Sequence, residues 1–237
     1  MSLENKVAVI TGVNSGVGRA VARRFAERGA RLVLVGRSAE RLDVIGKELE
    51  LPEGRWLPVE ADLSQPDAAQ KVLDASVKKF GRADILFNFV GGWLGGEPIS
   101  ETPAEKLETM LRQHVWSTFY LAKVFSAHMK SNGWGRMAVI SSPSAANPPA
   151  KSAPYSTAKA ALEALMATLA EEMKGAGVTA NVVRVRIIDE DHQREKNPSA
   201  ENASWTTPEE ISAALEYLCS EEGGTINGAR IPLYGSP

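Results

Sequence analysis

The sequence predicts an α/β fold, one doubly wound, largely parallel, seven-stranded sheet with helices on both faces. Three observations carry this expectation. Short apolar, β-branched runs alternate with stretches of helical periodicity along the whole chain. A glycine-rich turn, GVNSGVG at 12–18, separates the first such run from the first helical stretch. A later unit, 137–174, reads as strand, polar loop and helix and carries Tyr155 and Lys159 four residues apart. At 237 residues with no linker-like stretch, the chain is expected to form a single domain.

Residues 6–11, KVAVIT, make the first strand, and Val21, Ala22, Phe25 and Ala26 give the next segment one apolar face up to Gly29. The turn between them has what a phosphate requires. A helix start offers unpaired N–H groups and the positive end of a dipole, and glycine lets the backbone come close. Gly12 is expected to make the turn, Gly16 the close approach and Gly18 the contact of helix on strand. The second strand, 31–35, ends at Gly36 and Arg37. A carboxylate near this point binds the ribose 2′-hydroxyl of NAD(H), whereas a cation accommodates the 2′-phosphate of NADP(H). Gly36 holds the acidic position and Arg37 follows, so NADP(H) is favoured over NAD(H), the alternative being that Arg37 is a solvated loop charge.

A helix over 39–50 leads to a third strand at 55–59 and then to Asp62, which could cap the helix after it. Helical spacing through Val72, Ala75, Val77 and Phe80 stops at Gly81, and 84–89, DILFNF, is the fourth strand. The loop 91–96 follows that strand's C-terminal end, where open α/β sheets bind ligands, so Trp93 is expected in a pocket wall. A long helix over 103–131 places Leu107, Leu111, His114, Thr118, Leu121 and Phe125 near one stripe.

In the unit 137–174, Ser141 and Ser142 stand where the strand ends, Pro154 suits the first helical turn, and Gly175 stops the helix. Tyr155 and Lys159 leave the same helical face. A phenol is a poor acid at neutral pH. An ammonium at ~4 Å favours its ionised form by roughly 4 kcal/mol at an effective dielectric of about 20, before the lysine's own desolvation is subtracted. That moves it toward the range useful for proton transfer. The plain alternative is a helical coincidence with a snorkelling lysine. A sixth strand spans 178–185, and the polar run 189–205 is expected to form a mobile lid whose Asp-Glu-Asp-His start is solvated and lacks metal-ligand spacing. Thr207 and Pro208 open the last helix, and a strand near 229–233 closes the chain.

Composition excludes several classes. A net charge of −2 argues against a general affinity for nucleic acid or anionic membrane surfaces. No apolar run approaches the ~20 residues of a membrane span, and no charged apolar leader is present, so a cytoplasmic protein is expected. The single cysteine, Cys219, cannot form an intrachain disulfide and shares an apolar stripe with Ile211 and Leu215, which suits a buried structural thiol.

The spacing T-G-x-x-x-G-x-G at 11–18, with Ser142, Tyr155 and Lys159 in order, resembles the short-chain dehydrogenase/reductase family. The likeness extends over essentially the whole chain. It implies a Rossmann-type NAD(P)-binding domain over 1–237 with a short polar lid at about 186–206. The implied reaction is hydride transfer between a small-molecule carbonyl compound and its alcohol. In reduction Ser142 would hold the carbonyl oxygen, Tyr155 would donate the proton, and Lys159 would bind ribose hydroxyls and lower the tyrosine pKa. The implied cofactor contacts are Gly12, Asn14, Ser15, Gly16, Val17, Gly18, Arg37, Asp62, Leu63, Asn88, Val90, Gly91, Tyr155, Lys159 and Ile188. Among them Asp62 would meet the adenine amino group, Leu63 would lie against the ring, Asn88 would steady the sheet and border the adenosine ribose, and Gly91 would leave room for the nicotinamide ribose.

The family resemblance also implies a homodimer or homotetramer packed through the two long helices. Some positions depart from the pattern. Phe89 and Val90 replace the usual Asn-Ala, and Val185, Arg186 and Glu190 replace the proline, glycine and threonine near the nicotinamide. His114 replaces an asparagine of a proton relay, and is expected either to titrate near pH 6 to 7 in that relay or to be a hydrogen-bonded core residue. These departures leave a competing reading, a dinucleotide-binding regulator or scaffold with weak or no turnover.

Overall fold

The computed structural model describes residues 2–235. Its strands are β1 (Val7–Thr11), β2 (Arg31–Gly36), β3 (Trp56–Glu60), β4 (Ile85–Asn88), β5 (Gly135–Ser141), β6 (Val178–Val185) and β7 (Arg230–Leu233). They form one sheet in the order β3-β2-β1-β4-β5-β6-β7, and every pairing is parallel. The chain runs outward from β1 to β3 and then returns to lay β4 on the other side of β1. The C-terminal ends of β1 and β4 therefore flank the point where strand order reverses, the place where such sheets open a crevice.

The helices are α1 (Gly16–Glu27), α2 (Ala39–Glu48), α3 (Ala68–Phe80), α4 (Ala104–Met110), α5 (Ser117–Ser131), α6 (Ala153–Glu172), α7 (Gln193–Lys196) and α8 (Pro208–Leu218). Strand side chains alternate between the two faces. In β1, Val9 joins the core under α3, α5 and α6, while Ala8 and Ile10 join the core under α1, α2 and α8. Burial of both faces explains why the strands read as continuous apolar runs. Pro58, which cannot donate to a ladder, sits in the edge strand β3. Cys219 is buried just past α8, where burial raises its thiol pKa and keeps it inert.

The helix expected over 103–131 is not uniformly α-helical. Between α4 and α5 the residues Leu111–Trp116 form a π-helical turn. The Ser117 N–H reaches back to the Arg112 carbonyl. The carbonyls of Gln113 and His114 accept from Ser117 Oγ at 2.5 Å and Thr118 Oγ1 at 2.8 Å. Those hydroxyls in turn accept from Asn88 Nδ2, at 3.2 and 2.8 Å, so β4 holds the widened turn in place.

The segment after β6 also departs from expectation. Asp189 is buried and accepts the N–H groups of Gln193 at 2.7 Å and Arg194 at 2.8 Å, opening α7. Ile188 bridges to Thr206, whose hydroxyl donates to Leu233 O at 2.6 Å. Arg194 reaches Trp205 O and the Glu210 carboxylate. Of the acidic start of this stretch, Asp189 is thus buried and pinned to backbone N–H groups, whereas Glu190 and Asp191 are exposed, as the composition suggested. Asp62 does not cap α3, whose N-cap position is Asp67; it accepts instead from the backbone and hydroxyl of Ser64 at 3.1 and 2.8 Å.

Candidate active site

The turn after β1 is built by its glycines. Gly12 has φ +67°, and a Cβ there would lie 2.8 Å from the Phe89 backbone. A Cβ on Gly18 would lie 2.6 Å from Gly12 O, so this glycine lets α1 pack on the turn itself. Ser15 caps α1, accepting from Gly18 N at 3.2 Å while its hydroxyl donates to Gly12 O at 2.9 Å. Gly16 N–H donates to Glu190 Oε1 at 2.9 Å, and a Cβ on Gly16 would press on that carboxylate at 3.1 Å.

Two cavities meet at this turn. The first, about 450 Å³, is lined by Gly12, Asn14, Ser15, Arg37, Asp62, Leu63, Val90 and Gly91, with Thr109, Arg112 and Gln113 from the π turn and its approach. Hydrogen bonds from Ser64 hold the Asp62 carboxyl below the usual range, with a smaller pull from Arg37. The second, about 370 Å³, shares Ser15, Phe89, Val90 and Gly91 with the first and adds Val17, Asn88, Trp93, His114, Tyr155, Lys159, Arg186 and Ile188. Asn88 thus faces the second cavity and not the first. Its Oδ1 accepts from Thr11 Oγ1 at 2.6 Å, which ties β1 to β4.

Gly16 and Gly18 line neither cavity. Ser142 is buried beside the second, and its Oγ lies 3.1 Å from Ser144 Oγ, while Ser141 stands on the cavity wall. The clearance at Gly91 serves His114, because a Cβ there would lie 2.2 Å from the imidazole Cε1. Sequence reasoning missed the contributions of Ser141, Thr109, Arg112 and Gln113, which no motif marks. It also missed the Glu190 contact, made across 174 residues.

Burial sets the electrostatics of the second cavity. Lys159 is 6 % exposed, and its Nζ donates to Ile140 O at 2.8 Å. Desolvation brings its pKa down to about 7, against an upward pull from Glu163. Desolvation also raises the Tyr155 phenol above its ordinary value, opposed by the Ser142 hydroxyl. The expected lowering by Lys159 does not appear. The ammonium lies 5.5 Å from the ring centre, is itself poorly solvated, and does not outweigh burial.

His114 is 3 % exposed, and its ring stands edge-on to Tyr155 at 5.9 Å. Burial first, and the Lys159 charge second, bring its pKa to about 3, so the expected titration near pH 6 to 7 does not fit this environment. Its Nε2 lies 3.0 Å from Gly92 O and 3.5 Å from Gly92 N, the shorter contact favouring a hydrogen on Nε2, and the buried Nδ1 has no hydrogen-bond partner among the described residues.

The profile of the family described as short chain dehydrogenase matches residues 6–201. The chain belongs to this family. It is 31 % identical, over 98 % of its length and 92 % of the relative's, to 1,6-dihydroxycyclohexa-2,4-diene-1-carboxylate dehydrogenase of Pseudomonas putida. Its fold matches L-sorbose reductase of Gluconobacter frateurii, solved with NADPH and L-sorbose, with TM-score 0.87 and 29 % identity over 100 % of this chain and 97 % of that one. It also matches 3-ketoacyl-(acyl-carrier-protein) reductase of Brucella melitensis, solved with NADH, with TM-score 0.87 and 25 % identity over 98 % of each chain. The short-chain dehydrogenase described here is accordingly an oxidoreductase of alcohol and carbonyl substrates that uses NAD(P). These relatives do not favour the regulator or scaffold reading.

The residues present fit such a dinucleotide. The positive-φ glycine turn and capped α1 make a phosphate cradle, the two cavities adjoin through it, and the orphaned His114 Nδ1 offers an acceptor inside the second. Among the described residues no group of three His, Cys, Asp or Glu side chains could hold a metal ion, and no helix is long and apolar enough to cross a membrane.

Proposed function

We propose that the enzyme interconverts a small-molecule carbonyl compound and its alcohol with NADP(H) in preference to NAD(H). The observation that carries the reaction is the convergence of Tyr155, Lys159 and His114 on one cavity that adjoins the phosphate cradle. When bound, the dinucleotide supplies or accepts the hydride. In reduction Ser142 holds the carbonyl oxygen and Tyr155 Oη donates a proton to it. Lys159 Nζ binds ribose hydroxyls and stabilises the phenolate left behind. His114 stays neutral, and its Nδ1 accepts a hydrogen bond within the proton path without becoming charged. Trp93, 60 % exposed on its glycine loop, closes one side of the substrate space.

Arg37 in the wall of the larger cavity supports NADP(H) through a charge-assisted contact to the 2′-phosphate. One observation favours NAD(H) instead. Glu60 Oε2 accepts the Ala39 N–H at 3.1 Å at the start of α2, so a carboxylate is held two residues beyond Arg37 in the chain. Titration of NADPH and NADH against the enzyme and Arg37→Ala decides between them. Tighter NADPH binding that Arg37→Ala reduces supports the first reading, equal affinities in the unmodified enzyme remove it, and tighter NADH binding supports the second. A cofactor-depletion screen over carbonyl compounds tests turnover, and Tyr155→Phe is expected to abolish it with cofactor affinity nearly intact. Retention of most of the rate would require a different acid. The same reading treats 1–237 as one dinucleotide-binding domain with 186–206 as its lid, acting as a cytoplasmic homodimer or homotetramer.

A further inference from the structure

The start of α1 already holds an anion supplied by the chain. The first turn of α1 has no acidic residue of its own, and Ser15 serves the Gly18 N–H. The Gly16 N–H is taken by Glu190, whose carboxylate carbon lies 3.1 Å from the position of an ideal Gly16 Cβ. This is not local capping, since Glu190 is 174 residues further along the chain. Its neighbours hold it there. Asp189 N–H donates to Thr206 O at 2.9 Å, the Asp189 carboxylate opens α7, and Ile188 bridges to Thr206. Ile188 also lines the second cavity, so one short stretch touches the phosphate cradle and the substrate space.

We propose that Glu190 is a resident competitor for the dinucleotide phosphates and that it couples cofactor entry to the segment over the substrate cavity. This rests on the reading of the glycine turn as the dinucleotide's phosphate cradle. A carboxylate and a phosphate cannot share the Gly16 N–H without bringing like charges together at the same helix end. Cofactor phosphates therefore enter by expelling Glu190. Expulsion removes the contact that ties this segment to the cradle and leaves it only the Asp189 and Ile188 anchors, so the substrate side of the site loosens when the cofactor side is filled. Glu190 acts here on affinity and on the lid and takes no part in hydride or proton transfer.

The test compares the enzyme with Glu190→Gln, which removes the charge, and Glu190→Ala, which removes the contact. Calorimetric titrations use NADPH, ADP, which keeps the pyrophosphate but lacks the nicotinamide, and adenosine, which has no phosphate. Both variants are expected to bind ADP and NADPH roughly two- to tenfold more tightly, the range set by a single carboxylate at a helix start, with adenosine unchanged. Hydrogen exchange across 189–206 should rise in the unmodified enzyme when ADP binds, and should already be high in both variants without ligand. Unchanged or weaker ADP binding in the variants, or an equal gain for adenosine, overturns the proposal. If neither ADP nor NADPH binds any of the three proteins, the dinucleotide reading falls and the proposal with it. If they bind with equal affinity throughout, only the role of Glu190 is lost.

Discussion

At the scale of single residues, His114 and Lys159 show burial overruling the charges that their sequence positions suggest. A buried imidazole with a pKa near 3, against 6.5 when exposed, binds fewer protons folded than unfolded between those values. Stability is therefore lost as pH falls from about 6.5 toward 3. His114→Asn should lessen that loss and change little above pH 7, which thermal midpoints at several pH values would reveal. An acid profile identical to the unmodified enzyme's would contradict the assignment. Lys159 has the same sign in a higher window, with a pKa of about 7 folded and 10.5 exposed. The unfolded chain holds more protons there, so stability rises with pH between those values. Lys159→Met should abolish turnover yet raise the midpoint relative to the unmodified enzyme, most at about pH 6 and least near pH 10. The sequence showed that these side chains share a site. It could not show how dry the site is, because desolvation comes from Leu162, Val185 and other residues brought in by the fold.

At the scale of elements, α6 is fastened to the sheet by a buried carboxylate one turn beyond Lys159. Glu163 Oε1 accepts from Arg184 Nε on β6 at 2.7 Å, and Oε2 from Arg230 Nε on β7 at 2.8 Å. Glu163 and Arg184 side chains are 5 % and 19 % exposed, whereas Arg230 is 42 % exposed. Removing the carboxylate strands one largely buried guanidinium, so Glu163→Gln should cost about 3 kcal/mol in denaturant unfolding, near the low end for a broken buried pair. It should also lower the Lys159 pKa further, because the carboxylate raises it. A loss below about 1 kcal/mol would mean that the pair behaves as a surface bridge. Strand and helix identities were legible because both periodicities and the glycine stops are local signals. The π turn at 111–116 was not. Its residues keep a helical apolar stripe, and the widening depends on Ser117, Thr118 and Asn88, which only the β4–α5 contact brings together.

At the scale of the whole molecule, the crevice was readable once alternating strands and helices implied a reversal of order beside the glycine turn. The contact of Glu190 with that crevice was not, since no local pattern links residues so far apart. A second feature concerns what covers the outside of the π turn and α5. Trp116 and Phe119 are 48 % and 41 % exposed, and Trp116 stacks on Tyr120 at 5.7 Å and meets Phe119 edge-on at 6.0 Å. Such a cluster is ill-placed facing water, and it lies on one of the helices through which the family resemblance implies homo-oligomer packing. If the enzyme assembles as that resemblance implies, two charged substitutions there, Trp116→Lys together with Phe119→Glu, should leave a monomer in light scattering. Folding should survive, because neither side chain belongs to either core cluster. Loss of assembly with a cooperative melt and retained ADP binding would place the interface on this face. An unmodified enzyme that is already monomeric, or a double variant that assembles unchanged, would assign the aromatic cluster to some other purpose.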